Sequence, residues 1–233
     1  MYNDDQNASP VNHVPTVVVL VSMAIAAVEL VLQVGENGLA GGPAAVGWRA
    51  VAVNDYGFFA QIVTYMLNND VILWSELHRF VTYPFIHGSF GHVLFGFVLV
   101  LAIGKLIAEA FSQVAFLVIF FASTIMGALV FGLIVKDGAP LVGTYPAAYG
   151  LIGALTFVLW RKARAEGSNQ FRAFTLIGAL LAIQAYFGLL YGGGYVWIAD
   201  FTGFVTGFLL SFVLAPDGGA RIHGWLDTIR KRR

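Results

Sequence analysis

Residues 142–154 read Val-Gly-Thr-Tyr-Pro-Ala-Ala-Tyr-Gly-Leu-Ile-Gly-Ala, and this apolar stretch determines the kind of fold that the chain can form. Gly150 and Gly153 recur within it at a spacing that places them on one face of a helix. Lipid provides no hydrophobic drive for helices to associate, so small residues that allow close backbone approach promote packing between membrane helices. Gly203 and Gly207 form a second such pair in a later apolar segment. We therefore predict two helices that pack together in a membrane through Gly143, Gly150, Gly153, Gly203 and Gly207.

The composition supports a membrane protein. Of the 233 residues, 58% are hydrophobic and 11% are charged, whereas a soluble domain carries about 25% charged residues. The 13 basic and 13 acidic side chains cancel, which argues against a nucleic-acid partner. No cysteine is present, so disulfides, thiolate metal sites and thiol catalysis are excluded. The first dozen residues lack a basic region, so we expect no cleavable signal peptide and a first apolar segment that stays in the bilayer.

Six apolar segments are long enough to cross a bilayer, which takes about 20 helical residues. We predict helices over roughly 14–34, 90–110, 114–135, 143–161, 173–191 and 196–214, within a membrane domain of residues 14–215. The connection at about 35–85 mixes aromatic and polar residues, which suits the membrane interface. A connection of this length is usually functional or partly structured. The predicted fold class is an all-α polytopic bundle of six transmembrane helices with a long first external loop.

The basic residues predict how the chain is oriented. One side carries Arg49, Arg79 and Lys136. The other side carries most of the positive charge, at Lys105, Arg161, Lys162, Arg164, Arg172, Arg221 and residues 230–233. By the positive-inside rule the second side is cytoplasmic. We therefore expect the N-terminal tail, residues 1–13, and the basic C-terminal tail, residues 216–233, to be cytoplasmic.

Three segments resemble the rhomboid family of intramembrane serine proteases. Residues 87–96, His-Gly-Ser-Phe-Gly-His-Val-Leu-Phe-Gly, are similar to the family pattern H-x-x-x-x-H-x-x-x-N. The segment at 142–154 is similar to G-x-S-G-x-x-x-G, and residues 199–207, Ala-Asp-Phe-Thr-Gly-Phe-Val-Thr-Gly, are similar to A-H-x-x-G-x-x-x-G. The resemblance covers about residues 74–214. It implies a rhomboid-like bundle of bacterial type in the cytoplasmic (inner) membrane.

The same resemblance implies that the catalytic residues are replaced. Tyr145 stands where a rhomboid carries its serine nucleophile, and Asp200 stands where it carries its histidine base. Gly96 takes the place of a side-chain oxyanion donor, whose loss typically lowers the rate about a hundred-fold or more. The histidines of the pattern are retained as His87 and His92. A phenol has a pKa near 10 and its ring is too large for the serine position, so we expect no catalytic residue and no proteolysis.

Asp200 allows two interpretations. A carboxylate inside a membrane segment is costly and is a functional-site hypothesis by default. The simpler interpretation is a buried hydrogen-bond staple in which the Tyr145 or Tyr149 hydroxyl donates to Asp200. Thr144 also carries a hydroxyl, but a step of one residue turns a helical side chain by about 100°. We therefore expect Thr144 to point away from Asp200 and not to replace the nucleophile.

No cofactor and no metal are predicted. Imidazole and carboxylate groups suit zinc, which makes a site from His87, His92 and Asp200 conceivable. However, the five-residue spacing of the two histidines does not place both on one helical face. Glu29, another acid in a membrane segment, is expected to be solvated because it lies near the outer end of the first helix.

Three functions follow as hypotheses. The first is an inactive rhomboid-like protein that binds transmembrane segments of other membrane proteins, as an assembly factor, chaperone or accessory subunit. The resemblance implies that such a segment docks beside the second and fifth helices. The second is a divergent but active intramembrane endopeptidase. The third is a small transporter or channel, which is disfavoured because the third and fifth helices offer too few polar groups to line a path.

Overall fold

The computed structural model describes residues 13–136, 138–191 and 194–216. Within these ranges the chain forms nine α-helices: α1 (Thr16–Glu36), α2 (Trp48–Tyr56), α3 (Ala60–Asn69), α4 (Arg79–Thr82), α5 (Phe90–Ala110), α6 (Gln113–Ile134), α7 (Tyr145–Ala165), α8 (Thr175–Tyr191) and α9 (Val196–Leu214). Short 3-10 turns occur at Pro43–Gly47, Trp74–Glu76, Tyr83–Phe85 and Gln170–Phe174. The predicted tails, residues 1–13 and 216–233, lie outside the described residues except at their innermost positions.

The six long helices α1, α5, α6, α7, α8 and α9 correspond to the six predicted segments. In the described part of the chain, α1, α5, α6 and α9 are long and apolar enough to span a membrane. Helix α7 has 21 residues but ends with Arg161, Lys162 and Arg164, and α8 is a shorter apolar helix of 17 residues. The predicted all-α membrane bundle is confirmed.

Local side-chain chemistry determines where the helices begin. Ser89 precedes α5, and its Oγ accepts a hydrogen bond from the His92 amide at 3.2 Å, a common N-cap arrangement. Helix α7 begins at Tyr145, two residues later than predicted, because Gly143 has a φ of +98°. Pro146 fits the first turn of α7, since its missing N–H would have no helical partner there. Gly143 is therefore a turn residue before α7 and does not belong to the helix interface to which the sequence analysis attributed it.

Helix α7 is the central helix of the bundle and packs against α5, α6 and α9. Its residues 146–154 are all buried, as expected for a helix that neighbours enclose. Glycines allow α7 and α9 to approach closely. A Cβ on Gly153 would overlap the carbonyl oxygen of Phe204, and a Cβ on Gly207 would overlap that of Gly150.

The connection between α1 and α5, predicted as a long external loop, is folded. It contains α2, α3 and α4, and its residues Phe58, Val63 and Tyr83 form an apolar cluster with Phe131 of α6. Phe58 also pairs with Leu141 in an isolated antiparallel bridge. The connection is thereby attached to α6 and to the segment that leads into α7.

Candidate functional site

The candidate site lies at the beginning of α7, which the chain enters in extended form. Backbone hydrogen bonds join Leu141 and Phe58 in both directions, with N–O distances of 2.7 and 3.0 Å. The Gly143 amide donates to the Tyr83 carbonyl at 3.0 Å, and the Tyr83 hydroxyl donates to the Thr124 carbonyl of α6 at 2.9 Å. These bonds fix the first residues of α7 relative to α6 and the folded connection.

Tyr145 faces α5. Its ring stacks on the His92 ring, with a centroid distance of 4.9 Å and an angle of 13° between the planes. Its hydroxyl donates to the His92 backbone carbonyl at 3.3 Å. The phenol therefore fills the gap between α5 and α7 and does not bond to Asp200 as the staple hypothesis required.

Thr144 is fully buried next to α5. Its amide donates to His87 Nε2 at 3.3 Å, and its Oγ1 lies 3.5 Å from the same nitrogen. A Cβ placed on Gly96 would overlap Thr144 Oγ1. The Thr144 side chain thus occupies the space that a longer residue would need at position 96, where the resemblance implies an oxyanion donor.

His87 is held as a neutral acceptor. Its side chain is fully buried, and burial, followed by the effect of neighbouring His92, lowers the pKa of His87 from 6.5 to about 4. A neutral imidazole has one acceptor nitrogen, and here Nε2 already accepts the Thr144 amide. The 3.5 Å separation from Thr144 Oγ1 is longer than the hydrogen bond by which a base activates a hydroxyl nucleophile.

Asp200 has a different partner from the one predicted. Its side chain is 1% exposed, and its Oδ2 accepts a hydrogen bond from Gln184 Nε2 of α8 at 2.6 Å. The predicted bonds from Tyr145 and Tyr149 are not formed. The reason for Tyr145 is that its ring stacks on His92 of α5 and its hydroxyl donates to the His92 carbonyl.

Tyr145 and Asp200 nevertheless lie at the same end of their helices. A Cβ on Gly203, one turn after Asp200, would overlap the carbonyl oxygen of Pro146, which follows Tyr145. The close contact of α7 and α9 therefore brings positions 145 and 200 near each other. The side chains turn to different partners, so the described residues form no nucleophile–base pair here.

The histidines of the site do not form a metal centre with acids of the described residues. Among the described residues no group of three His, Asp or Glu side chains is arranged to hold a metal ion. The His87 and His92 rings meet edge to face at 5.3 Å, and His92 Nδ1 accepts the Gly88 amide at 3.3 Å. Both histidines therefore contribute to the structure of the segment that leads into α5.

Arg49, in α2 of the folded connection, links this connection to α1 and to the segment before α5. The Arg49 guanidinium contacts Glu29 of α1 with N–O distances of 2.8 and 3.1 Å, and Glu36 at 3.0 Å. It also donates to the His87 carbonyl at 2.7 Å. The hydrogen bond to Glu29 raises the pKa of Arg49. Glu29 is 5% exposed, so the expectation of a solvated carboxylate was wrong: the folded connection covers it with a cation.

The sequence of the region that contains these elements matches a known family. Residues 74–217, more than half of the chain, match the Rhomboid domain. The protein belongs to the rhomboid family. Rhomboid-like protease 3 of Toxoplasma gondii is 30% identical over 138 residues, which are 58% of this chain and 51% of that protein. The chain therefore spans about half the length of this curated relative.

Two residues that position the site in this rhomboid-family protein escaped the sequence analysis. Gln184 lies inside the matched range and is a lone amide in an apolar segment, and this isolated polar residue is the sequence signal that indicates a buried partner. Arg49 lies outside the matched range. Its contact with His87 spans 38 positions, and no local pattern indicates such a pairing.

Proposed function

We propose that this rhomboid-family protein binds transmembrane segments of other membrane proteins without cleaving them, as an assembly factor, chaperone or accessory subunit. The proposal concerns the whole protein. Membership of the rhomboid family and the chemistry of the residues at the candidate site support it.

One observation supports the absence of cleavage above all others. Thr144 fills the space at Gly96, while the ring at the nucleophile position, Tyr145, is stacked on His92. A substrate carbonyl needs a nucleophile and oxyanion donors around one open position. Here that space is occupied by the protein's own side chains.

Helices α5 and α8 offer the surface for a bound segment. Exposed apolar side chains project from α5 at Phe90, Phe95 and Val98, and from α8 at Ile183 and Tyr186. Bulky apolar groups of this kind provide the van der Waals packing that drives association of helices in lipid. A partner helix beside α5 and α8 would cover them.

Photo-crosslinking and cleavage assays test this function together. A photoreactive phenylalanine analogue replaces Phe95 of α5, or Val118 of α6 as an exposed control on another helix. We expect crosslinks to membrane proteins from position 95 and few from position 118. Fluorescent single-span substrates incubated with the reconstituted protein should yield no cleavage product. Product formation above background, or equal crosslinking at both positions, would refute the proposal.

A second candidate is a divergent intramembrane endopeptidase. The observation in its favour is the buried Thr144 hydroxyl, 3.5 Å from His87 Nε2. If Thr144 were a relocated nucleophile, any cleavage would disappear in Thr144→Ala and fall sharply in His87→Gln. Cleavage that survives both changes would point to a contaminating protease.

We further propose a location in the bacterial cytoplasmic membrane with both termini inside. The support is the concentration of Lys and Arg on one set of loops. The chain has no cysteine, so single cysteines report orientation directly. Asn54→Cys, in the connection between α1 and α5, should react with an impermeant thiol reagent in intact cells. Ser168→Cys, between α7 and α8, should react only after lysis, and the reverse pattern would invert the topology.

A further inference from the structure

Asp200 and Gln184 present hydrogen-bond acceptors that the described residues do not satisfy. Gln184 Nε2 donates to Asp200 Oδ2, but Asp200 Oδ1 and Gln184 Oε1 are buried and accept no hydrogen bond from the described part of the chain. An unsatisfied buried carboxylate oxygen is costly in an apolar medium. Acids at such positions pair with basic groups or mark functional pathways. The pair of acceptors therefore calls for a donor from outside.

Helix α8 contributes the hydrogen-bond donor that reaches this carboxylate. It packs against the preceding turn Gln170–Phe174 and against α7. Among the described side chains, Gln184 Nε2 links α8 to Asp200 Oδ2 of α9 with a hydrogen bond of 2.6 Å. Exposed Ile183, adjacent in sequence, lies on the lipid side. A group that replaced the Gln184 amide would break this hydrogen bond between α8 and α9.

We infer that Asp200 recognises a basic side chain, lysine or arginine, in the transmembrane helix of the bound partner, displacing the amide of Gln184. This inference rests on the proposed function, since it specifies the chemistry of the segment that is bound. The ammonium or guanidinium donates to the carboxylate oxygens of Asp200, and the displaced Gln184 turns its amide toward other acceptors. Asp200, at the position where the resemblance implies a histidine base, then binds the partner's basic side chain.

The position of Asp200 fixes the depth of the partner's charge. Asp200 is the fifth residue of α9, so it lies about 6 Å along the helix axis from Val196 at 1.5 Å per residue. The matching basic residue should therefore lie about one turn inside the partner's span. A basic residue at the centre of the span would miss the carboxylate by more than a turn.

Binding to designed host helices tests the inference with the full-length protein in phosphatidylcholine nanodiscs. Three labelled single-span helices of leucine and alanine carry lysine one turn from the end, lysine at the centre, or leucine at both places. Polar pairs between model helices in lipid are worth about five- to thirty-fold in affinity. We expect the helix with lysine near its end to bind about tenfold more tightly than the leucine helix, measured by energy transfer to a labelled protein.

Variants of the protein locate the effect. Asp200→Asn should abolish the preference for lysine, and Gln184→Leu, which removes the competing amide, should increase it. Glu109→Gln changes a partly exposed acid at the C-terminal end of α5 and should leave the preference for lysine unchanged. Equal binding of all three helices to the wild-type protein, or a lysine preference that persists in Asp200→Asn, would overturn the inference while leaving the proposed function intact. Binding of none of the three would overturn both.

Discussion

The Thr144 hydroxyl lies where a Cβ at Gly96 would have to be, so the two residues fit each other across the contact between α5 and α7. The fit is close because the backbone N–H of Thr144 donates a hydrogen bond to His87 Nε2, which holds Thr144 in place. A side chain at position 96 and a hydroxyl at position 144 therefore exclude each other.

Gly96→Ala tests this complementarity. We expect the overlap with Thr144 to cost about 1–3 kcal/mol of unfolding free energy, offset in part by about 1 kcal/mol because alanine favours helix over glycine. Adding Thr144→Ala removes the hydroxyl and should restore the lost stability. Adding Thr144→Ser keeps the oxygen and should not restore it. Denaturation in a mild detergent gives the four stabilities. Equal effects of Ala and Ser at position 144 would contradict the proposed overlap.

The buried cation at Arg49 makes a second prediction. Breaking a buried ion pair by removing one partner typically costs about 3–5 kcal/mol, because a charge is left uncompensated. We expect Arg49→Leu to destabilise the protein by this order, and the double variant Arg49→Leu/Glu29→Leu to recover part of the loss. Lys162→Leu breaks an exposed pair with Glu166 at 4.0 Å and should have little effect. A loss in Arg49→Leu no larger than that in Lys162→Leu would sink the prediction.

His87 predicts a pH dependence. Its pKa is about 4 in the folded protein and 6.5 as a reference, so between these values the unfolded chain binds a proton that the folded protein does not. Stability should therefore fall as the pH drops from 6.5 to about 4 and level off below, with a total loss of roughly 2–4 kcal/mol. His87→Gln, which retains an acceptor for Thr144, should lack this component. The measurement is the unfolding free energy between pH 3.5 and 7.5, and a profile shared by both proteins would argue against it.

Asp200→Asn should raise stability. The amide retains a hydrogen bond with Gln184 and adds N–H donors for Gln184 Oε1, which is unsatisfied among the described residues. Removing a buried charge with one partner also relieves its desolvation. We expect a gain of about 1–2 kcal/mol in thermal or chemical unfolding, with Ser211→Ala on the same helix as a reference that shows no gain. A lower stability of Asp200→Asn would contradict the prediction, because it would mean that other groups satisfy the carboxylate.

The sequence predicts the fold well because local signals specify the helices. The predicted bounds of α5 and α9 coincide with Phe90–Ala110 and Val196–Leu214, and Ser89 marks the first of these starts. The beginning of α7 was misplaced because the backbone at Gly143 turns away from helical geometry. Periodicity carries no information on that angle.

The site was predicted only in part for a different reason. Motif spacing predicts which positions are substituted, but partner choice depends on side-chain rotation and on distant segments. The aromatic face of His92 draws Tyr145 away from Asp200, and Gln184, 16 positions before Asp200, takes its place. The ion pair between Arg49 and Glu29 likewise forms only after the connection between α1 and α5 has folded.

The bridge between Phe58 and Leu141 has a consequence for biosynthesis. Phe58 leaves the ribosome about 80 residues before its partner, which at roughly 5–20 residues per second corresponds to roughly 4–16 s. During that interval α5 and α6 enter the membrane, and the peptide groups of Phe58 do not yet have Leu141 as their hydrogen-bond partner. The start of the central helix is therefore added to a surface whose residues were synthesised earlier, and a pause in translation after α6 would give that surface time to form.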